Sequence, residues 1–188
     1  MSLKTFTAGL FALTALFASQ AQADTYAIDD THAAANFAVK HLGIADTHGR
    51  FNAIKGEYNL DGANSSINIE IDVASIDSNN KKRDDHLRGP DFFNVKQFPK
   101  MTFKSTKVTP GANDMFKVEG KLTIRGVTKD ITIDVKKTGE GDDPWGNHRT
   151  GFETSFSINR MDYGVKYMPD GLGHDVKITL ALEGIKKK

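Results

Sequence analysis

The 188-residue sequence predicts one all-β domain of about eight antiparallel strands with a short helical insertion. Apolar residues recur at every second position, glycine and proline turns separate these runs, and one charged segment carries helix start and stop signals. Alternation this regular leaves one face of each strand in water. It therefore fits a closed barrel or a two-sheet sandwich.

The first 23 residues are predicted to be a secretory signal peptide. Lys4 supplies a basic start, residues 6–17 form an uncharged apolar stretch, and Ala21-Gln22-Ala23 is a small-x-small cleavage site. Cleavage after Ala23 leaves residues 24–188 as a soluble exported domain, with no later stretch long enough for a membrane-spanning helix. The sequence has no cysteine, so this domain must be held together by its core alone.

Eight segments carry the two-residue period of strands. In chain order they are 36–40, 51–60, 67–73, 100–108, 116–124, 131–135, 152–158 and 176–182. Turns between them are predicted at Asp61-Gly62, Pro110-Gly111 and Gly126, with a longer loop over 139–146. Within 51–60 the apolar parity changes between Ala53 and Ile54, which predicts a bulge or sharp bend near Gly56.

One segment departs from the β pattern. Asn79 or Asn80 caps a predicted short helix that continues to Arg88, and Gly89-Pro90 ends it. Two oppositely charged pairs spaced i,i+4 within the segment support the helix modestly.

Composition excludes several classes of function. The chain has 25 basic and 24 acidic side chains, and loss of Lys4 with the signal leaves 24 of each. Balanced, mixed charge gives no electrostatic footprint for nucleic acid, so no such partner is expected. Because no phosphate loop, dinucleotide fingerprint, nucleophile elbow or metal-ligand spacing is present, neither a cofactor nor a metal is predicted.

Motifs along the chain resemble the YceI-like family. They are FAVKHLG (37–43), GRF (49–51), RDDHLRGPDFF (83–93) followed by Phe98-Pro99 and Phe103, LTIRGVTK (122–129), and GDDPWG (141–146) with RTGFE (149–153). The resemblance covers the whole chain after the predicted signal. It implies a lipocalin-like, elongated barrel in the bacterial periplasm that binds a polyisoprenoid or similar long-chain lipid, and it implies a binding protein rather than an enzyme.

An apolar tunnel is the predicted binding site. Its expected lining is Phe37, Val39, Phe51, Ile69, Ile71, Phe92, Phe93, Phe98, Met101, Phe103, Leu122, Phe152, Phe156 and Ile158. Each buried CH₂ of a long isoprenoid or fatty amphiphile contributes about 0.8 kcal/mol, so the driving force for binding is ample. The polar head group is expected near the helix, beside Asn36, His41, Arg83, His86 or Arg88.

Three alternatives remain open from the residues alone. The first is an enzyme acting on an isoprenoid-like lipid, with His86 and Asp84 of the helix region as acid–base groups. The second is a structural protein whose barrel is filled, which predicts no cavity. The third, an outer-membrane barrel, is disfavoured by the charged helix and the absence of aromatic girdles. A homodimer is a further expectation that no particular residue supports.

Overall fold

The fold is an antiparallel β-barrel, given by a computed structural model that describes residues 24–60 and 65–188. In these ranges the strands are β1 (Tyr26–His41), β2 (Ala45–Phe51), β3 (Ile54–Asn59), β4 (Ser66–Asp72), β5 (Ile76–Asp77), β6 (Lys100–Pro110), β7 (Met115–Ile124), β8 (Val127–Asp142), β9 (His148–Asn159) and β10 (Leu172–Lys186), and helix α1 is Lys81–Arg88. The predicted signal peptide and the Asp61-Gly62 turn lie outside the described residues.

The sheet closes on itself. β1 pairs with β10 along one edge and with β2 and β3 in succession along the other. From β3 the order runs through β4, β6, β7, β8 and β9 back to β10, while β5, among the described strands, pairs only with the end of β2. Because β2 and β3 share one place in the ring, the barrel is eight-stranded. The prediction of a closed antiparallel barrel is confirmed, and the sandwich is excluded.

The parity change within 51–60 is a break between β2 and β3, with a bend at Asn52. The pairing of β3 with β4 is regular through Gly56, so the bulge or sharp bend predicted near Gly56 lies four residues earlier, as a bend. Phe51 and Ile54 are both buried, although they are an odd number of residues apart. The chain leaves the strand between them, where the Asn52 amide donates to Ser75 Oγ at 3.1 Å. Each half of the segment then keeps its apolar face inward.

Two backbone positions need glycine for different reasons. Gly56 has φ +147°, and a Cβ there would lie 2.0 Å from the carbonyl oxygen of Asn68 on the neighbouring strand β4. Gly126 follows Arg125 in the tight turn between β7 and β8, where both residues have left-handed φ values of 75° and 50°. Two left-handed residues in succession match the twist of a two-residue hairpin, as predicted for this link.

Several strands are longer than their apolar patterns predict. β1 begins ten residues before the predicted segment 36–40, and its register against β10 shifts between Ile28 and Ala33. A shift of this kind interrupts the alternation, so the first half of the strand has no two-residue signal. β8 likewise extends into the predicted loop 139–146 as far as Asp142, and β9 begins at His148, which leaves a short turn between them.

Helix α1 begins and ends where the sequence indicates. The Asn80 side chain accepts a hydrogen bond from the Arg83 amide at 3.0 Å, and Gly89 follows the last helical residue. Arg88 ties the helix to the barrel by donating to the carbonyls of Ala74 and Ile76 at 2.9 and 2.7 Å. Within the described ranges, no helix is long and apolar enough to cross a bilayer.

The end of the barrel where β1 begins and β10 ends is sealed by aromatic rings. Tyr58 is fully buried, its ring stacks on Tyr26 at 5.6 Å, and the edge of Phe152 approaches it at 4.8 Å between centroids. The Tyr58 hydroxyl donates to the Thr150 carbonyl at 2.5 Å, and burial raises the pKa of this phenol. A satisfied hydroxyl lets a polar residue plug the interior at little cost.

A charge cluster surrounds the outside of the sealed end. Arg149 donates to Asp29 at 2.8 Å, to Glu183 at 2.6 Å and to Asp143 at 2.6 Å. Hydrogen bonds from Thr31 and then Arg149 lower the pKa of Asp29. Burial acts to raise the pKa of Asp143, but hydrogen bonds led by that from Arg149 outweigh it and lower the pKa. The cluster joins β1, β9, β10 and the β8–β9 turn.

Candidate functional site

The barrel encloses a cavity of about 470 Å³. Of the predicted tunnel residues, those that line it are Phe37, Val39, Phe51, Ile69, Ile71, Phe92, Phe93, Met101, Phe103, Leu122, Phe152, Phe156 and Ile158. Its volume lies within the range of about 300–1,000 Å³ that is usual for small-molecule sites. The filled-barrel alternative predicted no cavity and is therefore wrong.

Strand register places these side chains on one face. Phe37 of β1 lies opposite Ile178 of β10, which lies opposite Phe156 of β9. Two residues further along, Val39 and Ile158 flank β10 in the same way. Because side chains alternate between faces with a period of two, consecutive rows of this kind line the lumen without interruption.

Phe98 is a correction, because it lies outside the cavity wall. Its ring packs where a Cβ on Gly126 would be, 2.6 Å away, and the Arg125 guanidinium lies 6.0 Å from the ring centroid. β6 begins only at Lys100, so the alternation that directs side chains inward does not reach Phe98. Its packing instead fixes the tight turn between β7 and β8 against the segment that follows α1.

The cavity opens toward the end of the barrel opposite the Tyr58 seal. Three rings cluster there: His86 of α1 lies 5.0 Å from Phe92 and 4.9 Å from Tyr167, and Phe92 lies 5.0 Å from Tyr167. His86 Nε2 lies 2.9 Å from Asp91 Oδ2. All three rings line the cavity, and they join the helical insertion to the β9–β10 loop across the mouth.

Four of the five predicted head-group residues line the cavity, namely Asn36, His41, Arg83 and His86. Arg88 is a correction. It lies five residues after Arg83, about 140° around the helix, so it points away from the lumen. Its guanidinium donates hydrogen bonds to the Ala74 and Ile76 carbonyls and, at 3.2 Å, to Asp85 Oδ1.

Arg160 lines the mouth and was not foreseen from the sequence. It is 5 % exposed, and its guanidinium donates to the carbonyl oxygens of Val165, Tyr167, Met168, Leu172 and Gly173 at distances of 2.7 to 3.4 Å. Burial lowers the pKa of this group. Since its partners in the described part of the chain are backbone carbonyls, the sequence offers no acidic partner that would indicate its burial.

The charged side chains of the described cavity wall are basic. Its ionisable side chains include Arg83, Arg160, His41 and His86, whereas aspartate and glutamate do not occur among the described residues that line it. In an apolar, poorly solvated lumen such groups favour a hydrogen-bond-accepting or anionic partner over a cationic one.

Asp84 and His86, the acid–base groups of the enzyme hypothesis, form hydrogen bonds with different partners. The Asp84 carboxylate is buried and accepts hydrogen bonds from the Ser78 amide at 2.9 Å and hydroxyl at 2.5 Å. His86 pairs instead with Asp91, five residues later. Asp84 therefore fixes the start of the helix, and the described geometry does not join it to His86 as an acid–base pair.

A shallow polar recess of about 270 Å³ adjoins the lumen. Asn36 and Ser78 line both spaces, and His48, Arg50 and Asp77 lie on the recess side. This recess lies where β2 parts from β5, so it offers polar contacts beside the middle of the apolar wall.

Asp29, His32 and Glu183 bring three potential metal-ligand atoms within 4.8 Å of one another. The Arg149 guanidinium already donates to both of these carboxylates. Arg149 thus neutralises the two carboxylates, and the three residues belong to a structural ion network at the sealed end.

Comparison with known proteins agrees with this architecture. Among relatives, a UPF0312 protein of Pseudomonas aeruginosa strain LESB58 is 41 % identical over 191 residues, covering 98 % of this chain and all of the relative. A UPF0312 protein of Yersinia pestis is 39 % identical over 176 residues, covering 91 % of each chain.

Solved structures share the fold. Burkholderia cenocepacia BcnA superposes with a TM-score of 0.75 at 26 % identity, covering 83 % of this chain and 98 % of BcnA. A Campylobacter jejuni YCEI protein has a TM-score of 0.68 at 30 % identity, covering 79 % and 90 %. A polyisoprenoid-binding domain from Saccharophagus degradans has a TM-score of 0.67 at 16 % identity, covering 86 % and 98 %, which is a likeness of fold. The YceI-like domain model matches residues 26–184, and the chain belongs to the YceI-like family.

Proposed function

We propose that this protein binds a long-chain polyisoprenoid, or a similar amphiphilic lipid, inside its barrel and carries or sequesters it. The observation that carries the proposal is the apolar cavity, sealed at one end by Tyr58 and open at the other. A chain laid along such a cavity loses its contact with water over most of its length. The Saccharophagus degradans domain of the same fold is described as polyisoprenoid-binding, which supports this class of ligand.

The polar end of the ligand is proposed to remain at the mouth. Arg83 and His86 line that region, and the Arg83 guanidinium is positioned by bonds to the Ser78 hydroxyl and carbonyl at 2.8 and 2.6 Å. We expect an accepting or anionic head group there because these side chains are donors. Binding of this kind discriminates weakly by chain length, so the head group sets the preference.

Binding rather than catalysis is proposed because Asp84 and His86 are committed to separate structural partners. Export to the periplasm, with cleavage after Ala23, remains a prediction. Intact mass measurement of the protein recovered from the periplasmic fraction would test it. The expected homodimer also remains a prediction, and light scattering on the purified protein would test it.

The decisive experiment is native mass spectrometry of the purified protein, followed by organic extraction of what it releases. We expect a stoichiometric adduct that extracts as a long isoprenoid or a fatty amphiphile. Phe92→Gln places a polar group in the cavity wall and is expected to lose the adduct, whereas Phe98→Gln, outside that wall, keeps it. Circular dichroism verifies that both variants fold.

A second variant separates loss of binding from loss of folding. Ile178→Trp projects extra volume into the lumen from β10, so it is expected to displace the lipid from a folded barrel. A protein that emerges without ligand and takes up no added farnesol-type probe would refute the binding function. Equal adduct in all variants would refute the cavity as its site.

A further inference from the structure

The mouth of the barrel carries a cluster of apolar side chains that are substantially exposed. Leu42 and Ile44, in the β1–β2 turn, are 52 % and 82 % exposed, and Tyr167 and Met168, in the β9–β10 loop, are 42 % and 38 % exposed. The two loops are joined by a hydrogen bond from the Leu42 amide to the Gly171 carbonyl at 2.7 Å. We call these four side chains the mouth patch.

The mouth patch is continuous with the lumen. Tyr167 and Met168 line the cavity and are also exposed outside it, and His41, next to Leu42, lines the cavity too. A chain leaving the cavity therefore meets apolar side chains until it reaches the outer edge of the barrel.

The backbone holds two members of the patch in an unfavourable conformation. Leu42 has φ 52° and Met168 has φ 49°, the left-handed region that large L-residues rarely adopt. Glycine or asparagine would fit these positions with less strain. Bulky apolar side chains at strained, exposed positions indicate a use for the side chains themselves.

We propose that the mouth patch docks the protein onto the surface of a lipid bilayer, so that the ligand passes between membrane and lumen without crossing water. This inference rests on the proposed lipid-binding function. Leu42, Ile44 and Met168 enter the boundary between head groups and acyl chains. Tyr167 lies at the level where amphipathic aromatic rings are favoured, and the exposed Lys166 next to it faces the lipid phosphates.

A bilayer fits the patch better than a second protein does. Four partly exposed side chains at two loop tips fall short of the roughly 800 Å² per partner that a standard protein–protein interface buries. A bilayer requires no matching surface, and it is also the phase in which a long isoprenoid dissolves.

The test compares two exposed apolar residues at opposite ends of the barrel. Ile44→Asp removes the most exposed member of the patch, and neither Ile44 nor Trp145 lines the cavity. Trp145→Asp is the matched control, because Trp145 is 78 % exposed in the β8–β9 turn at the sealed end. Both variants are floated with vesicles of phosphatidylethanolamine and phosphatidylglycerol.

Transfer is measured in parallel with a dansyl-labelled farnesol that moves from these vesicles to the protein. For wild type and Trp145→Asp, we expect flotation with the vesicles and a transfer rate that rises with vesicle concentration. Ile44→Asp is expected to lower vesicle partitioning and transfer rate at least about tenfold, the effect of losing one buried isoleucine. Its equilibrium uptake of the probe from dilute ethanol is expected to match wild type.

Equal flotation and transfer for Ile44→Asp and Trp145→Asp would overturn the proposal. So would a wild-type dimer that Ile44→Asp converts to a monomer, since a second copy would then cover the patch. Failure of every variant to take up the probe from ethanol counts against the lipid-binding function alone. In that case, the flotation of Ile44→Asp compared with that of Trp145→Asp still tests whether the mouth patch binds the bilayer.

Discussion

Replacing Arg160 by methionine tests how the mouth of the cavity is held in shape. The substitution keeps a long apolar stem and removes the guanidinium that five carbonyls of residues 165–173 accept from. Four of those five residues line the cavity. We therefore expect both lower stability and faster loss of ligand.

The size of the effect follows from two opposing contributions. A hydrogen bond from a charged donor contributes about 1.5–3 kcal/mol, and a buried carbonyl left without a partner costs about 1–3 kcal/mol. The opposing contribution reduces this loss. Burying the charge of Arg160 among carbonyls is itself unfavourable, and the freed carbonyls can bind water once the loop at the mouth loosens. We expect a net loss of about 3–5 kcal/mol for Arg160→Met, a large part of the about 5–15 kcal/mol by which domains are stable.

Urea unfolding followed by circular dichroism measures this loss. With a slope of about 2 kcal/mol per molar urea, the midpoint is expected to fall by roughly 1.5–2.5 M. Arg125→Met is the matched control, because among the described residues Arg125 donates to two carbonyls, those of Gly164 and Pro90, at 2.9 and 3.0 Å, and its loss is expected to cost about 1–2 kcal/mol. An unchanged midpoint for Arg160→Met, or a larger shift for Arg125→Met, would refute the reasoning.

Three further predictions concern the rest of the barrel. Gly56→Ala is expected to cost more than about 2 kcal/mol in urea unfolding, because its Cβ meets a carbonyl of β4. Gly139→Ala, where nothing lies within 4 Å, is expected to change stability by less than about 0.5 kcal/mol. Tyr58→Phe loses the buried hydroxyl bond and is expected to lower Tm by about 2–4 °C. Because the pKa of Asp29 is lowered in the folded barrel, its contribution is present above its unfolded pKa near 4 and is lost as pH falls below it. Arg149→Met, which removes one of the bonds that lower this pKa, is expected to flatten the fall in stability between about pH 4 and pH 2, and an undiminished fall would contradict this.

The two-residue period predicted about eight antiparallel strands and most of the residues that face the lumen, whereas the closed barrel, rather than a sandwich, was implied by the resemblance to the YceI-like family. Within a regular strand the parity of one apolar residue settles the direction of its neighbours, which is why Ile69 and Ile71 were assigned correctly to the cavity wall. The same rule has no force outside strands. Phe98 precedes β6 and packs against Gly126, although its apolar character alone suggested the tunnel.

Features that depend on the backbone of distant residues could not be predicted. The guanidinium of Arg160 is hydrogen-bonded by backbone carbonyls, which every residue has, so no pattern of side chains in the sequence predicts its burial. The break between Phe51 and Ile54 was visible as a change of parity, but its position depends on the Ser75 hydroxyl, which is distant in sequence. The first half of β1 was not predicted either, because the register shift between Ile28 and Ala33 interrupts the two-residue alternation.

The two ends of the barrel have opposite local energetics, and this difference bears on function. The sealed end combines the buried Tyr58 with the Arg149 ion network, whereas the mouth contains left-handed Leu42 and Met168 and the buried Arg160. β1, β8 and β10 are 15 or 16 residues long, so strand pairing connects the two ends, although the register shifts within β1 and β8. Stability gained at the sealed end thereby offsets strain at the mouth. Substitutions of exposed mouth residues such as Leu42 are thus expected to alter lipid exchange while the barrel stays folded, which makes this end the region where lipid preference can change.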